Sequence, residues 1–156
     1  MDKFEELFAQ YPFTMTDEQV KKEVADIIAA HYDENNNVEV YKTCMSMIDL
    51  TTLNGDDTEA KVVKMTSAVN DFTDNYPCPN VASICVYPAL VPTVKETLHA
   101  EGVGITAVTG GFPASQTFIE IKVAETALTV AQGATEIDIT LSQGKFLSGD
   151  YQTCYD

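Results

Sequence analysis

Apolar runs of strand length alternate with helix-period segments along most of this chain, and few folds accept that order. The runs are "SMIDLTTLN", "VASICVYP", "GITAVTGGFP" and "TEIDITL". Between them lie "TEAKVVKMTSAVNDF", "LVPTVKETLHAEG" and "TFIEIKVAETALTVAQGA". One strand–helix unit recurs every roughly 25 to 35 residues, the length a βαβ unit needs. Such alternation argues for a parallel sheet, either doubly wound or part of a (β/α)8 barrel. A dinucleotide-binding doubly wound domain carries G-x-G-x-x-G after its first strand, and "TTLNGDD" does not supply it. A P-loop is missing too. Instead each run holds a polar residue in it or at its end: Asp49 and Thr51, Cys85, Thr109, and Asp138. Barrel enzymes build their sites from the C-terminal ends of strands, so this series favours the barrel.

Local signals place the elements. Thr16 with Gln19 forms a capping-box pattern, and Val20, Val24, Ile27 and Ile28 follow at helical spacing. The polar, asparagine-rich "DENNNVEVYK" reads as a loop. Asp56 with Glu59 is expected to cap the next helix, with Val62, Met65, Val69 and Phe72 on its inner side. Gly102 is expected to close the third helix. In the last long helix Phe118, Ile121, Glu125 and Leu128 share one register, and "TEIDITL" reads as a buried strand with the carboxylate of Asp138 inside it.

A length of 156 residues with 45% hydrophobic content suits one domain with a sizeable core. No apolar run reaches the eighteen or so residues of a membrane span. "MDKFEELFAQYPF" lacks the cationic start and apolar block of a secretory signal, so cytoplasmic residence is expected. The four cysteines are scattered and read as reduced thiols; with only two histidines and no Cys/His cluster, no metal is expected. The net charge is −15 and every basic residue is a lysine. Without arginine to read phosphates or base edges, nucleic-acid binding is not expected, and the acidity reads as a solvated surface.

"MIDLTTLNGDDT", "VASICVYPALVPTVKETL", "ITAVTGGFPAS" and "IKVAETALTVAQGATEIDITLSQGKFLSGDY" resemble, in order, the first four βα units of the deoxyribose-phosphate aldolase family. The likeness runs from about Met47 to Asp156. It divides the chain into an N-terminal helical extension, 1–45, and the first half of a (β/α)8 TIM-barrel domain, 46–156. The resemblance implies an enzyme without metal or organic cofactor. Such an enzyme reversibly cleaves 2-deoxy-D-ribose 5-phosphate to D-glyceraldehyde 3-phosphate and acetaldehyde, in deoxyribonucleotide catabolism. It further implies a lysine Schiff base as electron sink, a second lysine that lowers the first one's pKa, and a carboxylate that moves the proton. By the same resemblance Asp138 is the proton-relay residue, Asp49 and Thr51 are pocket residues, and Cys85 lies near the reacting carbonyl.

The family's Schiff-base lysine sits in a K-T-S-T-G-like segment of the sixth strand, its partner on the seventh, and the phosphate loops follow the seventh and eighth. None of these is in the sequence, so the chain alone is expected to be inactive. Lys145, in a loop after "TLSQG", is not expected to stand in, and the remaining lysines read as surface groups. Two readings stay open. One is an aldolase represented by an incomplete chain; the other is a non-catalytic half-barrel acting as an assembly or binding element. A homo-oligomer, or pairing with a complementary half, is expected under both. A different βα hydrolase or reductase is a distant third.

Overall fold

The chain's structure, a computed structural model, describes residues 3–12 and 14–156. Three helices come first: α1 (Lys3–Ala9), α2 (Asp17–Asn35) and α3 (Val38–Met45). Next are β1 (Asp49–Thr51), α4 (Glu59–Asn70), α5 (Phe72–Asn75), β2 (Ser83–Val86), a 3-10 turn at Pro88–Leu90 and α6 (Val91–Thr97). They are followed by β3 (Gly104–Thr109), α7 (Ile119–Gln132), β4 (Glu136–Ile139), α8 (Gln143–Leu147) and α9 (Tyr151–Tyr155).

The four strands are parallel in the order β1-β2-β3-β4. A doubly wound sheet reverses its strand order midway and puts helices on both faces. Here the order never reverses. Leu50, Ile84, Val86, Ile105, Ala107 and Ile137 all point to one side, where they pack with Val62 and Val69 of α4 and Val91 and Val94 of α6. Val62, Ile84, Val86, Val91, Val94 and Ala107 are fully buried there. That one-sided helical layer leaves the other sheet face free for side chains at alternating positions, as the inside of a barrel requires.

Several local expectations need correction. Thr16 does form the capping box with Gln19. The segment read as a loop, "DENNNVEVYK", is mostly helical, because α2 runs to Asn35 and the Asn37 side chain caps α3 through the Glu39 and Val40 amides at 3.1 Å each. Asparagine's local side-chain bonding starts a new helix there. The cap of α4 is Thr58, bonding the Lys61 amide at 3.2 Å, in place of Asp56 with Glu59. Helix α6 ends at Thr97, and Gly102, at φ +77°, turns the loop beyond it.

The apolar stripe read on α7 also faces the wrong way. Phe118, Ile121 and Leu128 are exposed, while Lys122 and Thr129 are buried. The inner side of this helix meets strand ends and loop amides, so it is polar. Glu125 Oε2 accepts the Gly111 amide at 3.0 Å, and Thr126 Oγ1 meets Thr109 Oγ1 at 2.9 Å. Strand β4 is likewise not buried: Glu136, Asp138 and Ile139 are exposed, since β4 has a neighbour on one side only.

Candidate active site

The strand register sets the site. Asp49 pairs with Ser83, Thr51 with Cys85, Ser83 with Gly104 and Cys85 with Thr106. Thr106 pairs with Glu136 and Val108 with Asp138. Side chains alternate along a strand, so Asp49, Thr51, Ser83, Cys85, Thr106, Val108, Glu136 and Asp138 share the face opposite the helices. Asp49, Thr51, Cys85 and Asp138 are therefore brought to one surface, whereas Thr109, singled out with them from the sequence, falls on the alternate, helix-facing side, where it meets Thr126 of α7. Asp138 stands in the layer nearest the strands' C-terminal ends, one step above Cys85; Asp49 is in the lowest layer.

Hydrogen bonds order the lower layers. Ser83 Oγ donates to Asp49 Oδ1 at 2.7 Å and lies 2.7 Å from Thr106 Oγ1. Because the Ser83 proton goes to the carboxylate, the Thr106 hydroxyl is the donor in the second contact. The Glu136 side chain leans over Gly104. A Cβ there would stand 2.5 Å from Glu136 Oε1, the movable end of an exposed side chain, so the contact does not by itself require glycine.

Cys85 is 2% exposed. Burial pushes its thiol pKa up and the charges of Asp138 and Asp49 push the same way, against a hydrogen bond with Thr51. The thiol therefore stays protonated at neutral pH and is a poor nucleophile. It is a small, neutral wall between two carboxylates. Asp138, by contrast, is exposed to solvent.

The loops at the same end of the sheet are tightly tied. Past β1, Thr52 Oγ1 bonds both Asp57 carboxylate oxygens at 3.0 and 2.8 Å, and the Asn54 amide bonds Asp57 Oδ2 at 3.0 Å. Lys61 pairs with the same carboxylate. These partners, Lys61 foremost, hold the Asp57 pKa at about 2 against the opposing effect of burial. Tyr87 after β2 packs edge-on against Phe112 after β3, with ring centroids 5.9 Å apart.

Two lysines bear on the chemistry. Lys145 lies in α8, its side chain 56% exposed and paired with Asp150 at 3.1 Å, as a solvated lysine should be. Lys122 overturns the reading of the other lysines as surface groups. It is 9% exposed, and its Nζ donates to Ser115 Oγ and Ser142 Oγ at 2.6 Å each. A cavity of about 790 Å³ opens beside it, lined also by Gln116, Phe118 and Lys145. Asp49, Thr51, Cys85 and Asp138 do not line that cavity, which is formed by the loop between β3 and α7, the start of α7, and the segment from Ser142 through α8 and α9.

Sequence reasoning missed Ser83, Thr106 and Glu136, though the signal was present. Ser83 is two residues before Cys85 and Glu136 two before Asp138, so a period of two places each pair on one face. Lys122 left no comparable trace among nine lysines. Among the described residues, no three His, Cys, Asp or Glu side chains are placed to hold a metal ion, and no helix is long and apolar enough to cross a membrane.

Comparison with known proteins bears on this geometry. Residues 43–156 match the model of the DeoC/LacD family of aldolases. A Caenorhabditis elegans protein named "Putative deoxyribose-phosphate aldolase" is 39% identical over 140 residues, which cover 86% of this chain and 46% of the relative. A solved Coccidioides immitis structure with the same name superposes with a TM-score of 0.64 at 22% identity, over 73% of this chain and 42% of that one. The tetrameric deoxyribose phosphate aldolase of Aeropyrum pernix gives 0.54 at 25% identity, over 67% and 42%. The chain thus spans less than half the length of the curated relative it matches. The α/β fold is that of half a (β/α)8 barrel.

Proposed function

The chain belongs to the DeoC/LacD family of aldolases, and from that premise we propose that it supplies the first four βα units of a deoxyribose-phosphate aldolase. The reaction is the reversible cleavage of 2-deoxy-D-ribose 5-phosphate to D-glyceraldehyde 3-phosphate and acetaldehyde, in deoxyribonucleotide catabolism. The observation that carries the proposal is the shared face of Asp49, Thr51, Cys85 and Asp138, open toward the strands' C-terminal ends.

In this reaction a lysine amine adds to the sugar aldehyde and water leaves, giving a protonated imine. That cation draws the electrons of the breaking carbon–carbon bond, so once the neighbouring hydroxyl has lost its proton D-glyceraldehyde 3-phosphate departs and the two-carbon unit stays on the lysine as an enamine. The enamine carbon is then protonated, and water releases acetaldehyde. Asp138 fits the proton transfers because it is solvent-reachable and sits in the upper layer. Asp49, braced by Ser83, and Thr51 fit hydrogen bonds to substrate hydroxyls. Cys85 keeps the wall beside the reacting carbon uncharged.

The amine itself is assigned to residues outside these four strands. The inward positions of β1 to β4 carry carboxylates, hydroxyls, one thiol, one valine and one glycine, and no lysine. The 156-residue chain alone is accordingly inactive in this account. Its partners are the phosphorylated sugar and the aldehydes, together with further βα units against the open edges of β1 and β4. Such units complete the barrel, and the setting is the cytoplasm.

Borohydride trapping tests the assignment. Treated with acetaldehyde and borohydride, the chain alone should show no added mass, whereas the chain joined to the second half of a family member should show a single adduct and cleave deoxyribose 5-phosphate. A stoichiometric adduct on the chain alone, lost in Lys122→Met or Lys145→Ala, would overturn it.

A further inference from the structure

We propose that Lys122 is a positioning residue for Asp138, acting through the loop that follows β3; the proposal rests on the aldolase reading above. Lys122 Nζ donates to Ser115 Oγ and Ser142 Oγ, both at 2.6 Å. An ammonium cannot accept, so each serine oxygen receives a proton from it and must direct its own elsewhere. Ser115 sends its proton to the carbonyl of Thr140, 2.9 Å away. The result is a directed relay, Nζ–H to Oγ–H to C=O, in which the charge strengthens the second bond.

Thr140 is two residues beyond Asp138. Its amide donates to Thr109 O at 3.1 Å, the last rung between β3 and β4. Past that rung β3 turns away at Gly110, φ +80°, where a Cβ would stand 3.2 Å from Thr140 O. The chain of β3 thus offers Thr140 O no further amide, and the Ser115 hydroxyl takes that place. Ser115 does so from φ 56°, a backbone region that residues with a side chain seldom adopt, with its own amide bonded to Gly111 O at 2.8 Å. The Ser142 bond holds the next step of the chain, where α8 begins. Lys122 therefore clamps the end of β4 from two sides.

Stability alone does not call for a lysine here. Burying an ammonium is costly, and among the described residues Lys122 forms no ion pair that would offset the cost. A methionine of similar reach would fill the same space without it. What the ammonium adds is the direction of the hydroxyl relay, and so the path of the strand end that carries Asp138. Strain held by such bonds is characteristic of sites where geometry matters.

The test uses Lys122→Met and Ser115→Ala. In the 156-residue chain, Lys122→Met should melt no lower than the parent, yet the Thr140 and Phe146 amides should exchange with solvent about tenfold faster or more, while Thr52 and Thr135 stay as they were. In the chain joined to a family second half, either variant should lower kcat by about tenfold to a hundredfold, the scale of a small misplacement of a reacting group, with KM within about twofold. Lys122→Arg should recover part of the loss. Unchanged exchange at Thr140 overturns the clamp, and altered exchange with full kcat overturns the positioning role. Should Lys122→Met fail to fold, Ser115→Ala removes the relay alone, and full kcat in that variant overturns the proposal. Full turnover in Asp138→Asn would remove the residue that Lys122 is said to position and so overturn the proposal, whereas no cleavage by the unsubstituted joined chain identifies a failure of the aldolase reading itself.

Discussion

The buried pair Ser83 and Thr106 allows a quantitative check of the inward sheet face. Ser83 is fully buried and Thr106 is 3% exposed. Substituting Ser83→Ala deletes the donor to Asp49 and leaves the Thr106 hydroxyl with no partner. A hydrogen bond to a charged group contributes about 1.5 to 3 kcal/mol, and Asp49 is exposed enough for water to replace most of it, so about 1 kcal/mol is lost there. Orphaning the Thr106 hydroxyl costs a further ~1 to 3 kcal/mol. The single variant should therefore lose roughly 2 to 4 kcal/mol, the sum of these two terms. Thr106→Val leaves the Ser83–Asp49 bond in place and should cost only about 1 kcal/mol, one ordinary hydrogen bond. In the double variant no hydroxyl is stranded, so it should be more stable than Ser83→Ala alone by about 1 kcal/mol or more. Urea unfolding of the four proteins, fitted with a common slope, reads the coupling directly. Additive losses would refute both the donor assignment and the placement of the two hydroxyls on one face.

Two further outcomes follow from the charges and the open edges. Asp57 has a folded pKa of about 2 against about 3.9 in an unfolded chain, so it contributes stability that is complete above about pH 4 and is lost as the pH falls toward about 2. Asp57→Asn should remove that part of the acid limb in a pH series of melts, and an unchanged limb would contradict the Lys61–Asp57–Thr52 network. The exposed edges of β1 and β4 favour short-range association that the net charge of −15 opposes at long range. Sedimentation should accordingly show more dimer or higher assembly as salt rises, and a monomer at both low and high salt would contradict that balance.

How much the sequence disclosed differs between elements. The strands and the helices α4 and α7 were legible because apolar runs and helical spacing report burial directly, as at Ile84, Val86, Val62 and Val69. The faces were less so. On α7 the apolar residues Phe118, Ile121 and Leu128 point outward, because the inward side meets polar strand ends, and periodicity alone cannot tell which stripe the sheet will take. The segment 33–42 shows a second limit, since Asn37 punctuates two helices where asparagine content suggested a loop. Asp49, Thr51, Cys85 and Asp138 came to light through strand position and family resemblance together. Lys122 did not, because its burial depends on Ser115 and Ser142, seven and twenty residues away, meeting it in space.

The most direct measurement of the central claim is turnover of deoxyribose 5-phosphate by the chain joined to a family second half, with and without Asp138→Asn. Asp138→Asn is expected to lower turnover by about a hundredfold or more, the scale of a positioned proton-transfer group, with an unchanged melting temperature. Cys85→Ala should lose less. Turnover near the parent's in a correctly folded Asp138→Asn enzyme would contradict the assignment and leave Asp138 a structural residue of the fourth strand.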